Sequence, residues 1–311
     1  MGFKYYEINF PSSDGKNTVH ADVYEPSGEI FGVIQISHGM VDHVGRYNEL
    51  AAFFAERGFV VAGNDHLGHG KTASSPEELG YFAESDGVSL VLSDLNAMNT
   101  ELHERYPEKP VIMLGHSMGS FLARLYAVRY AESISALIIH GTGGGNPLVS
   151  LGKLVAKLNI LFCGEKNRSR LLKKLSVGSY NKKFPKQEGH NAWLSRDVEK
   201  IMPKDKDELA SFVFTSRAYY DLFTMLGESN SKEWYKAYPQ NMKTLVVSGD
   251  MDPVGNFGKG VREVYNKLLA SGCKDVTLKL YEGARHELFN ELNRDEVFSD
   301  LLSFVREATV K

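Results

Sequence analysis

Short apolar, β-branched runs recur along the chain, separated by longer amphipathic stretches. GVIQISHG (32–39), FVVAGND (59–65), VIMLGHS (111–117), ALIIHGT (136–142), TLVVSGD (244–250) and VTLKLYEG (276–283) read as buried strands. TVHADVYE (18–25) alternates like a half-exposed one. Helical periodicity is visible in YNELAAFFAERG, SLVLSDLNAMNTELHERY, SFLARLYAVRYA, GKGVREVYNKLLASG and DEVFSDLLSFVREATV. Strands and helices alternating at this spacing predict an α/β fold: a mostly parallel sheet with helices on both faces.

One region breaks the alternation. From about Gly144 to Pro239 there are helical patterns but no convincing strand, with Leu148, Leu151, Val155, Leu158 and Phe162 at helical spacing. An aromatic-rich stretch, SFVFTSRAYYDLFTML, follows. Charge changes here too. Residues 151–190 hold eight Lys and two Arg against two Glu, a net +8 in a chain whose total is -3. The expected organisation is a core from two segments, 1–143 and 240–311, with a helical cap, 144–239, inserted over the carboxyl edge of the sheet.

Composition narrows the picture. At 311 residues and 42% hydrophobic, the chain can bury a large core. The slightly negative net charge gives no reason to expect a nucleic-acid partner. Its two cysteines, Cys163 and Cys273, show no CxxC or zinc-ligand spacing, so a reducing compartment is the plain reading. MGFKYYEINFPSSDG lacks a signal-peptide pattern, and Tyr6 stands where myristoylation of Gly2 calls for Ser or Thr. With no apolar run of membrane-spanning length, the expected location is cytoplasmic.

The candidate chemistry starts at GHSMG, residues 115–119, which fits G-x-S-x-G between a predicted strand and a predicted helix. A serine on so sharp a turn adopts a strained backbone, and flanking side chains would collide; Gly115 and Gly119 relieve that crowding. Serine needs a base, and the base needs an orienting acid. The chain order that accompanies this motif is serine, acid, histidine. Only His140, His190 and His286 follow Ser117. His140 ends a predicted strand and His190 lies in the insertion, whereas His286 follows the last strand, in a loop able to reach the serine. Asp250 and Asp252 compete for the acid in GDMDP; Asp252, further beyond the strand, is favoured. Oxyanion donors are expected at the N–H of Met118 and, from the turn after GVIQISHG, at the N–H of Met40.

Together, HGMVDHVGRY, GNDHLGHGKT, GHSMGS, SGDMDPVG and GARHELFNE resemble the monoacylglycerol lipase and lysophospholipase group of the α/β-hydrolases. The resemblance runs from about residue 30 to the C-terminus and is weakest in the insertion. It implies Ser117 as nucleophile, Asp252 as acid, His286 as base, and Met40 and Met118 as oxyanion donors. It also implies that Asp65, Gly68 and Gly70 form a loop bracing the oxyanion turn. The group commonly carries a small residue and a glycine after HG, where this chain has Met40 and Val41. Asp42 and Arg46 then fall where the group carries polar residues near a glycerol head group, although they also read as an exposed ion pair at a helix start; His38 and Gly39 are further candidates for substrate contact. Phe212, Phe214, Tyr219, Tyr220 and Phe223 either line an acyl channel or pack the cap on the core.

These readings imply hydrolysis of small single-chain acyl esters or lipids by a mechanism needing neither metal nor organic cofactor. EKNRSRLLKKL admits two interpretations, a solvated helix face or a transient contact with anionic lipid surfaces. Another acyl specificity on the same triad (peptidase, thioesterase or acyltransferase) is the main rival. A ligand receptor on a hydrolase fold is a more distant one.

Overall fold

The computed structural model describes residues 2–310, without the side chains of Pro203 and Asp205. Met1 and Lys311, which end the two expected core segments, lie outside the described residues. Eight strands form one sheet: β1 (Phe3–Pro11), β2 (Thr18–Pro26), β3 (Gly32–Ser37), β4 (Phe59–Asn64), β5 (Val111–His116), β6 (Ala136–His140), β7 (Lys243–Gly249) and β8 (Val276–Tyr281). Their spatial order is β1-β2-β4-β3-β5-β6-β7-β8. β1 and β2 join antiparallel and the other six strands run parallel.

The period-2 alternation of the central strands divides the core into two layers. Val33, Met113, Leu137 and Ile139 face one way, toward α2 (Gly87–Arg105), α3 (Met118–Arg129) and α9 (Lys259–Ala270). Ile34, Ile36, Ile112, Leu114 and Ile138 face the other, toward α1 (Asn48–Ala55) and α10 (Arg294–Thr309). Strands covered on both faces have no polar side, which is why they read as unbroken apolar runs.

Three strands depart from the sequence expectation. β1 was not anticipated, because adjacent Tyr5 and Tyr6 blur an alternation that the half-buried Tyr6, Ile8 and Phe10 otherwise keep. β2 is largely buried rather than half-exposed: it is internal, and its polar residues His20 and Asp22 are buried with it. β8 is the reverse, only partly buried because it forms the sheet edge.

Between β6 and β7 the described residues contain helices and turns but no strand: α4 (Val149–Cys163), α5 (Arg170–Ser176), α6 (Val198–Ile201), α7 (Ser216–Glu228) and α8 (Lys232–Ala237). α7 packs on α3, and α4 packs on α7. Buried Arg124 of α3 ties this segment down, bonding the Ser229 carbonyl and, at 3.1 Å, Asn230 Oδ1, with its guanidinium 4.5 Å from the Trp234 ring. No helix among the described residues is long and apolar enough to cross a membrane.

Candidate active site

Ser117 stands where β5 turns into α3, with φ 53° and ψ -120°. A non-glycine residue there is strained by roughly 1–3 kcal/mol. The strain is held by the Ser117 N–H donating to the His140 carbonyl at 3.0 Å and by the Ser120 N–H donating to the Ser117 carbonyl at 2.9 Å. The flanking glycines are obligatory. A Cβ at Gly119 would lie 2.0 Å from the Ser37 carbonyl oxygen, and one at Gly115 would lie 2.4 Å from the Gly119 oxygen.

The turn after β3 meets this elbow. His38 is fully buried and accepts the His66 N–H at Nε2, 3.0 Å. Its proton therefore sits on Nδ1, which donates to the Gly39 carbonyl at 2.9 Å. That carbonyl and the Met40 N–H belong to one trans peptide and point opposite ways, so gripping the carbonyl turns the N–H from His38. The Met40 N–H takes no acceptor among the described residues, and Met118, first in α3, has no acceptor in its own helix. Both residues line the same cavity as Ser117. Burial holds His38 neutral, its pKa lowered to about 4. Val41 takes φ 52°, a left-handed conformation suited to glycine and costly for a β-branched residue.

Asp252 and His286 come from the loops after β7 and β8. His286 Nδ1 lies 2.8 Å from Asp252 Oδ2, and both side chains are buried. Asp252 also accepts the Ser248 hydroxyl at 3.0 Å and the Val254 N–H at 2.8 Å. Asp250 instead accepts the Gly283 N–H at 2.8 Å and so bonds into the neighbouring turn. The His286 ring sits between Trp193, centroids 5.0 Å apart, and His116, 4.7 Å apart. Burial drives His116 and His140 well below the usual imidazole range, so a neutral pair, Nδ1 to Nδ1 at 2.9 Å, backs the His286 ring.

Asp42 and Arg46 are not an exposed pair. Arg46 bridges Asp42 at 2.7 Å and Glu287 at 2.8 Å, and Lys204 lies 3.4 Å from Glu287. Burial alone would raise the Glu287 pKa, but Arg46 and Lys204 outweigh it and hold it at about 2. Asp42 is held well below its usual range by the same balance of burial against Arg46 and Lys204. It braces the Gly39–Met40 turn by accepting the Gly39 N–H at 3.3 Å. Asp65 reaches the same turn by accepting the Val44 N–H at 2.8 Å.

Ser117, Met40, Met118 and His286 open on one cavity of about 1170 Å³. Gly39, Asp42, Phe212, Tyr219 and Phe223 line it, together with Leu148, Leu151 and Val155. His38, Arg46, Phe214 and Tyr220 do not. Phe214 is fully buried against His69, Phe82 and Tyr219, and Tyr220 lies beneath Lys153 and Arg217. Sequence reasoning missed Ser248, His116, Trp193 and the Glu287–Lys204 pair. Trp193 gave no signal, being 93 residues from His286 in a stretch without periodicity.

Comparison with known proteins bears on the family and the fold. A carboxyl esterase from Bacillus coagulans, solved in complex with glycerol, is 33% identical, with 100% of each chain covered and a TM-score of 0.91. A monoacylglycerol lipase of Mycolicibacterium smegmatis is 28% identical over 302 residues, 96% of each chain. A soluble variant of the monoglyceride lipase from Saccharomyces cerevisiae, solved with a substrate analog, shares the fold at a TM-score of 0.78 and 18% identity, covering 100% of this chain and 97% of that one. Residues 28–293 match the Hydrolase_4 family model, described as serine aminopeptidase, S33. The chain thus belongs to the Hydrolase_4 family and is a monoacylglycerol lipase-like α/β-hydrolase.

Proposed function

We propose that this enzyme hydrolyses single-chain acyl esters, monoacylglycerols or related lipids, through an acyl-enzyme on Ser117. The observation that carries the reading is the Asp252–His286 pair and the strained Ser117 opening on one large, mainly apolar cavity. His286 takes the Ser117 proton as Oγ attacks the ester carbonyl. The Met40 and Met118 amides receive the oxyanion, a contribution of about 3 kcal/mol per donor. Asp252 stabilises the imidazolium, which then protonates the departing alcohol. Water, deprotonated by His286, attacks the acyl carbon and releases fatty acid and free Ser117.

The family description invites an aminopeptidase reading, but a substrate ammonium needs an uncommitted carboxylate. Among the described residues the acids lining the cavity are Asp42 and Glu287, and both are engaged by Arg46 or Lys204. The cap favours lipid. Leu148, Leu151, Leu154, Leu158, Leu161 and Phe162 on and beside α4 are 45–78% exposed, and Lys173 and Lys174 of α5 stand nearby, lining the cavity. This combination suits transient contact with an anionic lipid surface.

A fluorophosphonate probe should label the enzyme and fail to label Ser117→Ala. A graded panel of p-nitrophenyl and glyceryl esters should peak beyond short chains; a maximum confined to acetate would overturn the lipid reading. Vesicle binding should rise with anionic lipid content, and equal binding to neutral vesicles would remove the electrostatic contact.

A further inference from the structure

The antiparallel ribbon of β1 and β2 gathers a second cluster, apart from the catalytic centre. In its register Glu7 stands opposite Asp22. His20, two residues before Asp22, projects from the same face. One donor atom from each of the three lies within 4.8 Å of the others. His20 is only 5% exposed, and its Nδ1 lies 3.1 Å from Asp65 Oδ2. Its Nε2 is buried without a hydrogen bond, 3.4 Å from both Glu7 Oε2 and Asp22 Oδ1. A buried imidazole nitrogen left without a hydrogen bond beside two carboxylates calls for an occupant.

We propose that Glu7, His20 and Asp22 bind a divalent transition-metal ion, best zinc, with Asp65 orienting the imidazole. Tetrahedral zinc with nitrogen and oxygen ligands at roughly 2.0–2.1 Å spaces those ligands about 3.3–3.4 Å apart. The two gaps from His20 Nε2 have that length. Asp65 holding Nδ1–H leaves the Nε2 lone pair pointing at the ion, the usual outer-carboxylate arrangement of a metal-bound histidine. An imidazole in the set favours zinc over calcium or magnesium, which prefer all-oxygen sites. The ion would sit among the carboxylates of Glu7, Asp22 and Asp65, with Lys71 Nζ on Glu7 and the Tyr5 hydroxyl donating to Glu7 Oε1 and Asp22 Oδ1, each at 3.0 Å. Glu7 is 41% exposed, so solvent reaches the site and a water can complete the coordination.

The ion has no part in ester hydrolysis. Its effect is mechanical, since Asp65 also accepts the N–H groups of Val44 and Lys71. Filling the site ties the edge ribbon to the loop behind the oxyanion turn.

The test is titration of EDTA-treated, dialysed protein with ZnCl2 by calorimetry, with thermal melts in parallel. One ion should bind per chain and raise Tm, and Co2+ in its place should give the intense visible bands of a tetrahedral site. Glu7→Gln, at the rim, should fold normally and weaken binding by at least about tenfold, the scale seen when even an outer-shell partner is lost. Lys71→Met removes the ammonium that competes for Glu7 and should tighten binding, an outcome that general destabilisation does not produce. Absence of stoichiometric uptake, or equal uptake by Glu7→Gln, would overturn the assignment; the latter would move the ion to other histidines.

Discussion

The two walls of the catalytic cavity are built on opposite principles. The sheet-edge wall, with Ser117, Asp252, His286 and the Gly39–Met40 turn, buries polar groups and pairs nearly all of them. It tolerates left-handed backbone at Ser117 and Val41 because packing and hydrogen bonds leave no alternative. The wall formed by α4 leaves large leucines in solvent, an arrangement that adds nothing to folding. Under the proposed function, fixed geometry would serve the reaction and exposed apolar surface the encounter with a lipid substrate.

The contrast is sharpest in kinetics. Ser117→Ala should lower kcat on the order of 10⁶-fold, and Asp252→Asn about 10⁴-fold, with little change in Tm. Leu158→Ser combined with Phe162→Ser should leave hydrolysis of a soluble short ester within about twofold, as surface changes usually do, yet reduce vesicle binding. Loss of short-ester activity in that double variant would break the division of labour.

Gly119→Ala should cost more than about 4 kcal/mol or prevent folding, because its Cβ has nowhere to go beside the Ser37 carbonyl. Denaturant titration reads this directly.

Acid should attack the sheet-edge wall first. His38 and His69 are neutral and buried, with pKa values lowered chiefly by burial to about 4 and about 3. Unfolded histidine takes up its proton near 6.5, so the unfolded chain binds more protons below that pH. Stability therefore falls as pH drops, by about 2 kcal/mol per histidine between pH 6.5 and 5. Glu287, held at about 2, acts lower. Its contribution is present above the unfolded value near 4.3 and is lost as pH falls through about 2. Flat stability from pH 7 to 5 would contradict the buried-neutral assignment.

The smallest effect is expected at Val41→Gly. Relief of a left-handed β-branched residue, offset by the greater freedom of unfolded glycine, should leave a gain of at most about 1 kcal/mol. Activity toward bulkier alcohols should rise as the side chain leaves the cavity.

Much of this was legible in the sequence, for identifiable reasons. Buried parallel strands announce themselves as apolar runs, and the elbow serine requires glycines that side-chain-bearing residues cannot replace. Asp252 was separable from Asp250 because position beyond the strand end decides which carboxylate meets the His286 imidazole and which bonds only the Gly283 N–H. What escaped depended on pairings distant in the chain. Arg46 reads as an ordinary helix-start cation until Glu287 is brought beside it. Phe214 and Phe212 share a composition and a neighbourhood, yet one is core and the other lining, and only the turn of the backbone between them decides.

The loop carrying His286 is stitched to the inserted segment by its backbone. The His286 N–H donates to the Trp193 carbonyl at 3.4 Å, and the Glu287 N–H to the Leu194 carbonyl at 2.7 Å. Residues 193–194 are thus part of the frame that holds the His286 loop, and any displacement of the inserted segment that spared this loop would have to leave those two residues in place.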